Sequence, residues 1–266
     1  NLSLLKSRGN KLVYHLGDAG EDHYNKILNN RVEAFDLFLA HAKSDNPKIR
    51  VIKHSYDLFL DRIVKDKKQK FGIVWCGNKS TCGNQVQGEF GLSESGLAYD
   101  EKNFQPLGQY LDHFRSIDSI SLNGYVSMLI EEENNLDILT HININQNIKK
   151  YSLHYCVRSP FISNEKWKTK SPTKLAQAIG CNSNIIVSLG PPEKEIIDES
   201  YRYSIDTTTE EFKENSLDIC KEKVLQAKLE FNTKHWYDSL KYLSQFKAEL
   251  HPLSIAEKIV QYSEEL

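Results

Sequence analysis

A chain of 266 residues with 39% hydrophobic and 26% charged side chains has the balance of a soluble globular protein, with core enough for one large or two modest domains. Its 34 basic and 36 acidic residues leave a net charge of −2, so no whole-chain field draws it to nucleic acid or to an anionic membrane. Only a local basic patch would give peripheral membrane contact. No apolar run reaches the ~18–20 residues that cross a bilayer, and no signal peptide is visible. The chain opens on Asn1 rather than methionine, which fits a processed or trimmed product. Of the five cysteines, only Cys76 and Cys82 lie close, at a spacing that suits neither a zinc knuckle nor a redox pair. Cys76, Cys156 and Cys220 fall inside apolar patterns and read as reduced core residues, which favours a reducing, cytoplasmic compartment.

Strand-like and helix-like patterns alternate in two regions, predicting α/β architecture with parallel sheets. In the first, 11–15 predicts a strand, 24–29 a helix, 37–40 and 50–52 strands, and 56–64 a helix. That is too few strands for a complete doubly wound domain. The charged run 65–70 reads as a solvated linker, a hinge or crossover. In the second region 71–76 predicts a strand opening into a Gly77-Asn78 loop. A glycine-containing stretch follows at 83–96, then helical periodicity over 104–114. Strands are expected at 136–142 and 153–157, with a short helix over 147–151.

Next comes Lys170-Ser171-Pro172-Thr173-Lys174-Leu175, a loop turning into a helix that runs to Ile179. Ser171 is a favoured N-cap residue and Pro172 suits the first helical position. A buried strand is predicted at 185–188 and a helix start after Pro191-Pro192. A long helix over 210–231 lines up Phe212, Ile219, Val224, Ala227 and Phe231. Two terminal helices carry the stripes Trp236, Leu240, Leu243, Phe246 and Ile255, Ile259, Tyr262, parted by Pro252.

The helix start at 170–175 offers free backbone N–H groups with Lys170 and Lys174 beside them, an arrangement suited to a diphosphate. Lysine at a helix start is mildly unfavourable for the macrodipole, which makes an anionic partner more attractive; the bland alternative is ordinary surface charge. Near predicted strand ends of the first region lie His15, Asp18, Asp22, His23, His54 and Asp57, any of which could take a proton from a hydroxyl. His113, His141, His154, His235 and His251 show no metal-ligand spacing. Trp167, in a polar stretch, could stack on a sugar ring or anchor its loop. The chain has no Asp-x-Asp, Walker loop, Gly-x-Gly-x-x-Gly or Gly-x-Ser-x-Gly.

Lys170, Pro172, Thr173, Lys174 and Leu175, between two predicted strands, resemble the Lys-Pro-x-Thr-Lys-Leu donor motif of bacterial GT-B-fold glycosyltransferases. Arg158 closes the preceding strand where that family often has an arginine. Glu193 and Glu195 stand where an acidic residue contacts the donor's sugar or ribose. Residues 71–78 look like the first strand of the donor lobe, whose loop, here Gly77 and Asn78, approaches the donor phosphates. The likeness covers about 71–230 and extends more weakly to Asp18 and to Val51-Ile52-Lys53-His54.

The resemblance implies a GT-B-like α/β fold: two Rossmann-like lobes with parallel sheets, and C-terminal helices crossing back to the first lobe. It divides the chain into an acceptor-side lobe at 1–64, a donor-side lobe at 71–231 and the helices at 232–266. The implied activity moves a sugar from a nucleoside-diphosphate sugar to a saccharide or lipid-linked acceptor, in surface-polysaccharide synthesis. Donor binding falls to Gly77, Asn78, Arg158, Lys170, Thr173, Lys174, Glu193 and Glu195, and catalysis to Asp18 and His54. Lys170, Lys174, Arg158 and the helix terminus would supply the field on the leaving diphosphate without a metal, and no cofactor is implied. The first lobe departs from the pattern by lacking its opening strands: either upstream residues are absent from the chain or the lobe is reduced. A non-catalytic sugar- or protein-binding module of the same fold, and a nucleotide-sugar epimerase or hydrolase, are the alternatives.

Overall fold

The computed structural model describes residues 2–16, 34–63, 71–78, 126–131, 148–157, 167–168 and 170–266. The helices expected at 24–29 and 104–114, the strand at 136–142, the glycine stretch at 83–96 and the linker at 65–70 lie outside them. The strands described form two sheets, parallel throughout.

The first sheet contains β1 (Val13–His15), β2 (Leu37–Ala40) and β3 (Ile49–Val51), in that order. All four residues of β2 are buried, as expected of a central parallel strand covered on both faces. Alternation sends Phe38 and Ala40 to one side with Leu16 and Ile49. Leu37 and Leu39 go to the other, with Ile52. That second face is covered by Ile255, Ile259 and Tyr262 from the last helix, whose Tyr262 hydroxyl donates to the Val51 carbonyl at 3.1 Å. The apolar stripe at 255–262 is thus spent on the first sheet.

The second sheet holds β4 (Ile73–Asn78), β5 (Val126–Glu131), β6 (Leu153–Cys156), β7 (Asn184–Ser188) and β8 (Ser204–Ile205), ordered β5-β4-β6-β7-β8. The direction of winding reverses between β4 and β6, and ligands in such sheets bind outside the carboxyl ends of the strands at that point. Strands β6 and β7 are buried at every position. Cys156 and Cys220 are free and buried, as the sequence predicts, and so is Cys181.

The helices described are α1 (Leu2–Ser7), α2 (Phe59–Arg62), α3 (Thr173–Gly180), α4 (Pro191–Lys194), α5 (Glu210–Glu230), α6 (Lys234–Ser244) and α7 (Pro252–Glu264). Among the described residues, no helix is long and apolar enough to cross a membrane. The helix expected over 56–64 contracts to α2. Asp57 turns its carboxylate onto the Phe59 N–H at 2.9 Å, and Tyr56 is drawn away to the Leu250 carbonyl. The expected cap of α3 is also corrected. Pro172 holds the N-cap position, no side chain caps the helix, and the Ser171 hydroxyl meets that of Thr173 at 2.8 Å.

Helix α5 starts as its sequence suggests, with the Thr209 hydroxyl accepting the Phe212 N–H at 3.1 Å, and it kinks at Asn215. Its end is fastened by a fork. Arg202 donates to the Glu230 carboxylate through Nε at 2.6 Å and Nη2 at 2.5 Å, and Tyr203 and Gln226 donate as well. Hydrogen bonding from Arg202 outweighs burial and holds the Glu230 carboxyl down at about 2. The stabilisation is therefore complete above the ordinary glutamate range and disappears as pH falls through about 2. Arg202 is 37% exposed, so solvent screens part of it. Glu230→Gln should cost about 2 kcal/mol at pH 7, with the gap to the parent closing by pH 2, read from urea unfolding at both pH values. An equal gap at the two pH values would contradict the ion-pair origin.

Candidate functional site

The carboxyl edges of the two sheets meet through residues 52–57, and a missing side chain permits it. A Cβ on Gly180 would fall 2.7 Å from Cγ of Tyr56, so glycine at the end of α3 lets the Tyr56 ring lie against the helix. Tyr56 is 3% exposed and donates its hydroxyl to Asp61 at 2.9 Å. Lys247 completes the clamp, reaching Asp61 at 3.2 Å and the Gly180 carbonyl at 3.2 Å. Burial works to raise the Asp61 carboxyl, but hydrogen bonds from Tyr56 and Lys247 with the Lys247 and His251 charges carry it below the usual range.

Held this way, His54 reaches the first residue of α3: its Nε2 stands 3.2 Å from the Thr173 hydroxyl. Its Nδ1 lies 2.6 Å from the Ser55 carbonyl, which can only accept, so Nδ1 carries the proton. Nε2 of the neutral ring is then the basic nitrogen, and Thr173 donates to it. Ser171 in turn donates to Thr173. In sequence these hydroxyls stand between Lys170 and Lys174, both half-buried.

Behind His54 stands His41, which the sequence did not single out. It is 4% exposed, donates Nδ1–H to the Ile52 carbonyl at 3.0 Å, and sets its ring 5.3 Å from that of His54. The exposed His15 adds a third ring, 4.8 Å from His41. No local motif links these three; they converge because parallel pairing brings the carboxyl ends of β1, β2 and β3 into register.

On the donor side, Trp167 is 2% exposed, so it anchors its loop rather than offering an open stacking surface. The indole lies on Gly190, where a Cβ would sit 1.8 Å from Cε2 of the ring, and its Nε1–H donates to the Glu193 carboxylate at 2.9 Å. Glu193, on α4, is itself 1% exposed. Glu195, one position beyond α4, pairs at 3.7 Å with Lys43, which follows β2. It is a second contact between the two sheets' edges, and Lys43 is another residue the sequence reading missed.

Gly77 and Asn78, expected to form a loop, are instead the last two residues of β4, paired with Ile130 and Glu131 of β5 at the point where the winding reverses. Arg158 is the residue after Val157, beyond the carboxyl end of β6, and lies outside the described residues, as does Asp18. The structure thus brings His54 onto Thr173, in the stretch of sequence that runs from Lys170 to Lys174, and Glu195 onto the first sheet's edge. Among the described residues, no group of three or more His, Cys, Asp or Glu side chains is placed to hold a metal ion.

No protein-family profile matches the chain, and no curated protein matches its sequence. Solved structures do match its fold. Anabaena HepE in complex with UDP is 12% identical, with a TM-score of 0.53, over 100% of this chain and 75% of that one. HepE with UDP-glucose gives the same score and coverage at 11% identity. The pneumococcal O-GlcNAc transferase GtfA, in complex with UDP and GlcNAc, is 15% identical with a TM-score of 0.51. The match covers 92% of this chain and 47% of GtfA, so the chain spans about half the length of that relative. These neighbours are GT-B glycosyltransferases, and the chain has the GT-B fold, with mixed α/β structure and parallel sheets.

Proposed function

We propose that this protein is a glycosyltransferase that takes a sugar from a nucleoside-diphosphate donor and passes it to a saccharide or lipid-linked acceptor. The observation carrying this reading is the contact of His54 Nε2 with Thr173 at the start of α3, between two lysines. It sets a basic nitrogen against a cationic helix start, the pairing that a sugar transfer needs. The fold adds support, since structural neighbours were solved with UDP or UDP-glucose.

The donor diphosphate would lie at the start of α3 with Lys170, Lys174 and Arg158 about it, and Gly77 and Asn78 alongside. These cations would balance the charge growing on the leaving diphosphate without a metal. Glu195 would take a ribose or sugar hydroxyl, and Glu193 would shape that pocket through Trp167. On the acceptor side, His54 would remove the hydroxyl proton, and Asp18 is the second candidate catalytic residue. In this reading 1–64 forms the acceptor lobe, 71–231 the donor lobe and 232–266 the helices crossing back, in a cytoplasmic enzyme of surface-polysaccharide synthesis.

Thermal unfolding with UDP, GDP and CMP tests the donor site. A nucleotide at 100 times its dissociation constant should add ~2.7 kcal/mol of stability, and Lys174→Ala should weaken it about tenfold while leaving the unliganded melting temperature unchanged. If no nucleotide shifts the transition, the donor site is wrong. One observation favours a non-catalytic module as the second reading: Glu193 is buried and gives its carboxylate to Trp167. Nucleotide binding without release of sugar from any donor in a nucleotide-sugar panel would select that reading.

A further inference from the structure

We propose that donor binding and protonation of His54, with His41 as the buried ring behind it, are linked: each favours the other, and the neutral fraction of His54 is the form that acts as base. For the place of the diphosphate this rests on the donor-site reading above. For the titrating group it rests on geometry, because Nε2 of His54 is both the nitrogen that accepts a proton and the atom in contact with the first residue of α3.

The charges on the elements that meet here set the sign. On the donor side, Lys170 and Lys174 are cations beside Thr173. On the first sheet's edge, His15 is a further imidazole, with the His41 ring between it and His54. Lys43 and Lys53 are offset by Glu195 and Glu249. Asp57 is the one further carboxylate close in sequence, and it holds the Phe59 N–H. A bound nucleotide sugar brings two negative charges to the start of α3, and these favour a proton on the His54 ring that touches Thr173. One phosphate charge about 5 Å from the imidazole raises its affinity for a proton by about half a pH unit, and the second, farther off, adds less. By reciprocity, a proton on His54 tightens the donor by the same factor.

The linkage has a chemical use. In the transfer step the acceptor O–H bond breaks and its proton goes to Nε2 of His54. The acceptor oxygen bonds to the sugar carbon, and the bond to the diphosphate breaks with its electron pair leaving on the phosphate oxygen. The imidazolium so formed stands at the same helix start where that charge collects. His41 is the positioning residue: pinned by its bond to the Ile52 carbonyl, it keeps the His54 ring turned toward Thr173.

UDP-glucose tests this on the full chain, because its diphosphate does not itself titrate between pH 6 and 8. Calorimetry in two buffers of different ionisation enthalpy should show proton uptake on binding. Affinity should be about three- to tenfold higher at pH 6 than at pH 8, and His54→Gln should flatten that dependence. In the unaltered protein, the His54 Cε1–H resonance should titrate at least about half a pH unit higher with UDP-glucose bound, a result that needs no variant to fold. His41→Phe keeps the ring and loses the bond to Ile52, and should shrink the shift. Binding that is tight and equal at both pH values, with an unmoved His54 titration, overturns this proposal and leaves the donor site standing. No binding at either pH overturns both.

Discussion

Gly190→Ala should destabilise the protein by about 3–5 kcal/mol, a loss on the scale of deleting a large core aromatic. The backbone is not the cause, because Gly190 sits at φ −94° and ψ 177°, where any residue is at ease. The obstacle is space: the new Cβ would stand 1.8 Å from Cε2 and 1.9 Å from Nε1 of Trp167. No rotation of a flexible chain end relieves this, since the obstructing atoms belong to a rigid indole that is 2% exposed. The ring must leave its seat, taking its N–H away from a Glu193 carboxylate that is 1% exposed. A buried carboxylate robbed of its donor is destabilising in its own right. Thermal unfolding should register a fall of about 10 °C in a chain of this size. Trp167→Phe separates the two contributions, as it keeps most of the packing and loses only the N–H, and should cost about 1–3 kcal/mol. If Gly190→Ala melts with the parent, the indole does not rest where the structure puts it.

The same pair of residues explains what a linear reading could and could not see. Strands β6 and β7 and helix α3 were legible because their signals are local: short runs rich in Leu, Tyr, Ile and Val, with a proline at the helix start between them. Helix α5 was legible to within a residue through its apolar face and the threonine before it. Strand β8 was missed because two residues carry no period. Trp167 stayed open between stacking on a sugar and anchoring its loop, because the answer depends on Gly190, whose want of a side chain makes the seat. The cap of α3 failed for a related reason: with Pro172 at the N-cap, the Ser171 hydroxyl found that of Thr173 instead of a backbone N–H.

For the site, the resemblance placed His54 and Thr173 in separate motifs 119 residues apart, and the fold joins them at 3.2 Å. Glu195 was expected from its place at a helix start, and Lys43, which pairs with it, was not. His41 had no signal of its own. Its position follows from parallel pairing of β2 with β3, which sets the residue after Ala40 beside the Ile52 carbonyl, a relation that composition and periodicity do not encode.

His54→Gln should lower donor turnover by about 100- to 10,000-fold at pH 8, the range a positioned general base supplies. Glutamine keeps a polar group near Thr173 and has no nitrogen that takes up a proton, so packing is spared and basicity is lost. Donor affinity at pH 8 should stay within about threefold of the parent. The defect should therefore lie in kcat, whereas Lys174→Ala should act on donor binding. Release of UDP from UDP-sugars, followed with and without saccharide acceptors, provides the measurement. The acid limb adds a sign check. As pH falls the parent protein loses the neutral imidazole, so its kcat should drop while its donor KM improves, and His54→Gln should show neither trend. A variant that turns over donor at the parent rate would leave His54 as a strut between the sheets, fastened to Thr173 at one nitrogen and to the Ser55 carbonyl at the other.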